Sequence, residues 1–235
     1  MIAAALAAAA LAAAPQPQLL VVTETRGFVH DSIPAAKAMV ASLGYRTTFL
    51  GGARELTAAR LRGAGAVVFL NTSGDLHLDA AGRRRLLAWI RDGGAFVGAH
   101  AAADTFPASA AFHRMLGADF LGHAPARMTP RTRIDVVDRR FTTVRSFAIG
   151  DEFYRFRARA RRHVIIREHG GGPLAWWRRY GHGRVFYDAL GHFPATWSDP
   201  HQRRLMADGI RWAVGTAPAG ARSTAPSAPP SVVGA

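Results

Sequence analysis

Apolar and polar positions fall into alternating blocks through the first hundred residues, and each block reads as one element. Residues 19–23 form an apolar run of the kind found in strands buried on both faces, and residues 25–32 form the loop at its end. Pro34 opens a helix, with Ser32 as its cap, that runs to Gly44 with apolar residues on one side. Residues 45–50 read as a second strand and 56–61 as a short helix. Residues 66–70 are a third strand, ending in Asn71-Thr72-Ser73-Gly74-Asp75. Asp79 caps a helix to Arg91. A Gly93-Gly94 turn, a short apolar run and a small-residue bend then predict a buried strand whose C-terminal edge delivers His100 and Asp104. Parallel strands need crossover connections, so this alternation predicts an α/β fold: a doubly wound, mainly parallel sheet with helices on both faces.

Beyond residue 108 the units are shorter. A helix is expected over 109–116, then a segment closing on Phe120-Leu121-Gly122-His123. Residues 131–137 and 163–167 read as strands with Asp151-Glu152-Phe153-Tyr154-Arg155-Phe156 between them. Residues 174–178 and 183–188 form a hairpin around 179–182, its second strand ending in Leu190-Gly191-His192. A helix over 199–214 closes the domain, placed at 19–215. Residues 216–235 are rich in Pro, Ala, Ser and Gly without periodicity and are expected to be a disordered tail.

Composition narrows the chemistry. At 235 residues, 49% hydrophobic and 20% charged, the chain suits one α/β domain with a full core. It has no cysteine, which removes disulfides, thiolate ligands and a cysteine nucleophile together. The net charge of +14 is almost wholly arginine, Lys37 being the single lysine. These arginines are scattered among alanine and glycine instead of interleaved with stacking aromatics, so no nucleic-acid partner is expected. The densest group, 155–162, has the pattern of the solvated face of an edge strand. Residues 2–14 are an alanine-leucine run, too short to span a bilayer but matching the apolar core of a secretory signal. Residues 1–18 are therefore read as a signal peptide or N-terminal extension. The protein is expected to be exported, extracellular or periplasmic, with no transmembrane segment once mature; without a signal it would be cytoplasmic.

Ligands of open α/β sheets sit outside the carboxyl ends of the strands, so His30, Asp75 and His100 are predicted to converge on one edge. The loops there, with Gly27-Phe28-Val29-His30-Asp31-Ser32, residues 69–75, residues 93–104, Gly122-His123, Asp151-Glu152-Phe153-Tyr154, Leu190-Gly191-His192 and Gly209-Ile210-Arg211-Trp212-Ala213, resemble the ThuA-like (trehalose utilisation) family. The resemblance implies a flavodoxin-like fold related to class I glutamine amidotransferases. It also implies a role in the metabolism of disaccharides and their oxidised keto derivatives, with a functional link to a sugar dehydrogenase. Where an amidotransferase places its cysteine this chain offers His100, so glutamine hydrolysis through a thioester is excluded.

Strand-end logic and these motifs select His30, His100, His123 and His192 with Asp75, Asp104 and Glu152. On a keto sugar, imidazole and carboxylate support proton abstraction beside the carbonyl, followed by isomerisation, elimination or hydrolysis. His100 is expected as base or acid, partnered by Glu152 or Asp104, with His30 beside them. Arg26, Asn71, Thr72, Asp75, Tyr154 and His192 are expected to bind the sugar. The same set offers a divalent metal, zinc, manganese or iron, the ligands His100, His123 and His192. Phe28, Trp176 and Trp197 are either a sugar platform or core. The competing reading is a carbohydrate-binding or accessory module that holds a sugar without turning it over.

Overall fold

The computed structural model describes residues 16–123 and 131–215. The N-terminal run read as a signal and the C-terminal tail lie outside them. The first half alternates as the sequence predicts: β1 (Gln18–Val22), α1 (Ile33–Ala41), β2 (Arg46–Phe49), α2 (Ala58–Arg62), β3 (Ala66–Leu70), α3 (Ala80–Arg91) and β4 (Ala95–Ala99). There follow α4 (Ala110–Leu116), β5 (Ala118–His123), β6 (Thr132–Val136), β7 (Phe147–Ile149), β8 (Tyr154–Ala158), β9 (His163–Glu168), β10 (Pro173–Tyr180), β11 (Gly183–Asp188) and α5 (Pro200–Val214).

Nine strands form one sheet in the order β2-β1-β3-β4-β11-β10-β9-β6-β7. From β2 to β11 every neighbour is parallel. From β11 outward every pairing is antiparallel. The polarity reverses at the hairpin, where β10 runs on to Tyr180 and leaves a two-residue turn, Gly181-His182, in place of the four-residue one expected. Gly181 has φ +61°, which a tight hairpin turn demands and a glycine supplies without strain. The parallel half is the predicted doubly wound core, and it carries the site.

Register shows that both faces are covered. Phe96 pairs with Val185 and Gly98 with Phe69, so Phe69 and Phe96 share a face, where Phe112 of α4 packs on both rings. Phe186 is one residue from Val185 and so points to the opposite face. There α5 lies so close that a Cβ on Gly209 would sit 2.2 Å from the Phe186 ring. All residues of β3 and β4 are buried, as two-sided coverage requires. Trp176 and Trp197 are core residues, 0% and 1% exposed, and form no sugar platform.

Ser32 stands at the start of α1 without capping it. Its hydroxyl donates to the Gly191 carbonyl at 2.7 Å, tying the helix to the loop after β11. Asp79 does cap α3, accepting from the Gly82 amide at 2.6 Å. The arginine-rich strand is β8, paired among the described residues with β5 alone, and Arg157 and Arg159 both neutralise Asp119. No helix among the described residues is long and apolar enough to cross a membrane.

Candidate functional site

Four loops meet at the C-terminal edge of the parallel strands. At the end of β4 the chain turns sharply, because His100 adopts φ +48° and leads directly into a 3-10 turn spanning His100–Asp104. A left-handed conformation costs a non-glycine residue roughly 1–2 kcal/mol. Here the Tyr187 hydroxyl donates to the His100 carbonyl at 2.6 Å and holds it. The His100 ring is fully buried, and its Nδ1 lies 2.8 Å from the Ala189 carbonyl oxygen. A carbonyl can only accept, so Nδ1 carries the proton and Nε2 presents a lone pair. That lone pair faces His30 Nε2 at 3.0 Å and the Tyr154 hydroxyl at 3.1 Å, with Glu152 Oε2 at 3.6 Å.

Glu152 is the hub. Its Oε1 lies 3.0 Å from His123 Nδ1 and its Oε2 lies 3.2 Å from His192 Nδ1. Asp151, a residue the sequence reading passed over, keeps this hub in place. Its buried carboxylate accepts the backbone N–H of Gly191 at 2.7 Å, of His192 at 2.9 Å and of Glu152 at 2.8 Å. The signal for it was present in the Asp-Glu pair, but nothing local distinguishes an acid that receives amides from one that faces solvent. Ser73 was also missed: its hydroxyl donates to Asp104 Oδ2 at 2.6 Å.

Burial, then the neighbouring His192, lowers the His30 pKa to about 4. Burial and His30 hold His100 well below its ordinary value. Burial pushes Glu152 upward, but the hydrogen bond and charge of His192, with His123 and His30, outweigh it and keep the carboxyl below its usual range. The hydrogen bond to Glu152 raises His192. Burial, then Glu152, keeps Tyr154 a neutral phenol. Burial lifts Asp151 to about 6 against the three amides that favour its charge.

A cavity of about 330 Å³ opens over this cluster, lined by His30, Asp104, His123, Glu152, Tyr154 and His192. Phe28 and Phe120 complete it as aromatic sides. Four residues expected to bind sugar have other places. Asn71 is buried behind the site, donating to the Ser32 hydroxyl and the Gly191 carbonyl. Thr72 is buried against Thr105. Asp75 is exposed beside Arg83, because Gly74 at φ +77° turns the chain away from the edge before Asp75 is reached. Arg26 is exposed and borders a different recess with Glu24 and His77. The predicted convergence of His30 with His100 is observed, and Asp75 is not part of it.

His30, His100, His192 and Glu152 each offer a ligand atom, all within 4.8 Å of one another. His123, expected as a ligand, lies outside this group. It is half-exposed and sits against the other Glu152 oxygen.

The family model described as ThuA, trehalose utilisation, matches residues 18–213. No curated protein matches the sequence. A ThuA-like protein from Parabacteroides merdae superposes with a TM-score of 0.68 at 19% identity, over 87% of this chain and 91% of that one. A ThuA-like protein from Bacteroides uniformis gives 0.67 at 18%, over 87% and 94%. A β-galactosidase from Bacillus circulans gives 0.61 at 13%, over 88% of this chain and 32% of that one. At these identities the structural likenesses show the fold alone.

Proposed function

The chain belongs to the ThuA (trehalose utilisation) family, and on that premise we propose that it acts on a disaccharide or its keto derivative by carboxylate and histidine proton chemistry. The observation that carries this reading is the cavity itself. It places a carboxylate, Asp104, in the same hollow as the His192–Glu152 pair and the Tyr154 phenol, between aromatic walls that suit the apolar face of a sugar ring.

His100 fits the role of base poorly, since its proton is committed to Ala189 and burial disfavours the imidazolium it would have to become. Asp104 fits better. Ser73 fixes one of its oxygens and leaves the other for a C–H bond beside the sugar carbonyl. As that bond breaks, its electron pair forms the C=C bond and the carbonyl pair moves to oxygen. The Tyr154 O–H is the donor that meets the resulting charge. Isomerisation follows when the hydroxyl proton on the deprotonated carbon passes to the former carbonyl oxygen and Asp104 returns its proton to the former carbonyl carbon. Elimination follows when the enolate reforms the carbonyl, the bond to a glycosidic oxygen on the next carbon breaks, and that oxygen takes the proton held by Asp104. A dehydrogenase that oxidises a sugar hydroxyl would supply such a substrate, and the N-terminal run supports export.

The test is turnover of keto-disaccharides by the wild type and by Asp104→Asn, with binding measured in parallel. We expect turnover by the wild type and a 10²- to 10⁴-fold loss in the variant, about the range of general-base catalysis. Binding without turnover by the wild type would replace this reading with that of a carbohydrate-binding module.

A further inference from the structure

We propose that His30, His100, His192 and Glu152 together hold one divalent transition-metal cation, presented to the floor of the cavity. The ligand atoms come from four separate loops, after β1, after β4, before β8 and after β11, and still fall within 4.8 Å of one another. Three imidazoles and one carboxylate are a donor set suited to zinc, iron or manganese.

Three features point to a ligand and not to a chance cluster. The first is the fixed tautomer of His100: with Nδ1–H on the Ala189 carbonyl, its Nε2 lone pair is aimed into the group. A backbone carbonyl on the far nitrogen is the usual means of orienting a metal-binding imidazole. The second is the electron-rich face this creates. The lone pair lies 3.6 Å from Glu152 Oε2 with His30 Nε2 at 3.0 Å, and a single lone pair accepts one good hydrogen bond, not two. A cation shared among the donors satisfies all of them at once.

The third is spacing. Donors bonded at about 2.0–2.1 Å to a tetrahedral ion lie about 3.3–3.4 Å apart. Three of the six separations, 3.0 Å for His30–His100, 3.2 Å for His192–Glu152 and 3.6 Å for His100–Glu152, bracket that value, and the other three lie within 4.8 Å. His123, on the other Glu152 oxygen, is then a positioning residue that orients the carboxylate. Beside a sugar carbonyl the cation would draw charge toward the carbonyl oxygen, complementing proton removal by Asp104.

Only the cation's purpose rests on the sugar reading, so the experiment reads metal and turnover separately. Chelator-stripped full-length protein is dialysed against zinc, manganese and, without oxygen, ferrous iron in turn. Bound metal is counted by mass spectrometry, and the melting midpoint is recorded with and without it. We expect one cation per chain and a raised midpoint in the wild type. His30→Gln and Glu152→Gln, checked for folding by circular dichroism, should lower affinity at least 100-fold, whereas His123→Gln should lower it about tenfold and keep the one-to-one ratio. Absence of stoichiometric metal in the wild type overturns the site, as does full retention in His30→Gln. Stoichiometric metal without turnover of keto-disaccharides leaves the site standing and removes the sugar-enzyme reading instead.

Discussion

His100 Nε2 lies 3.0 Å from His30 Nε2, although 70 residues separate the two in the chain. Two imidazole nitrogens at that distance need a proton on one and a lone pair on the other, and the Ala189 carbonyl decides which. Nitrogen-15 spectra of the metal-free protein at neutral pH should therefore show His100 as the Nδ1–H tautomer. An Nε2–H signal for His100 would contradict the lone pair on which the cation site is built.

Asp151 is the most consequential residue that does not face the cavity. Asp151→Ala strips acceptors from three backbone N–H groups at the junction of Glu152 and His192. Each unsatisfied buried group costs about 1–3 kcal/mol, so chemical denaturation should show a loss of at least about 3 kcal/mol. Loss of the anchor should also loosen His192, and metal affinity should fall although no ligand has been changed. A variant as stable as the wild type would mean that those amides find other partners.

Asp188 gives the clearest dependence on pH. Burial lifts its pKa from 3.8 to about 7, so the native state holds a proton that the unfolded chain has released. Its stabilising contribution is thus complete below about pH 4 and is lost as pH rises through 7. Asp188→Asn removes the carboxyl that must ionise. The Gln202 amide now donates to Asp188 and leaves its own oxygen unpartnered, so rotating it gives the asparagine amide an acceptor. The variant should gain roughly 1–3 kcal/mol over the wild type at pH 9. Urea titrations should show that gain shrinking toward pH 5, and a gain independent of pH would exclude ionisation of Asp188 as its cause.

Tyr154→Phe isolates the phenol from the cation. The hydroxyl is one of the donors at the His100 lone pair and lines the cavity, while the ring packs on Phe120 and His100. Removing the oxygen keeps the ring, so stability should change by less than about 1.5 kcal/mol. Turnover of keto-disaccharides should fall 10- to 100-fold with metal stoichiometry intact. A fall in metal content instead would place the phenol among the groups that hold the cation.

The parallel half of the sheet was legible because its signals are local. The apolar runs of β1, β3 and β4, the Asp79 cap and the Gly93-Gly94 turn each specify an element without reference to the rest of the chain. The antiparallel wing was less so. The three residues of β7 are too few to set a pattern, β6 pairs with β9 across two intervening strands, and β5 with β8 forms a separate two-stranded sheet.

The sequence by itself determined that the fold is α/β with a mainly parallel sheet, that candidate histidines stand at the ends of β1, β4 and β11, and that the chain holds no cysteine. It named His30, His100 and His192 at those ends, and Glu152 in the loop that precedes β8. Tertiary structure alone decided which of the candidates share a cavity. One left-handed glycine, Gly74, removes Asp75 from it, and hydrogen bonds to Gly191 turn Asn71 and Ser32 into supports. It also decided protonation, because the tautomer of His100 is set by a carbonyl 89 residues away. Spacing along a chain encodes periodic burial, whereas the direction of a lone pair depends on partners that meet only when the sheet is assembled.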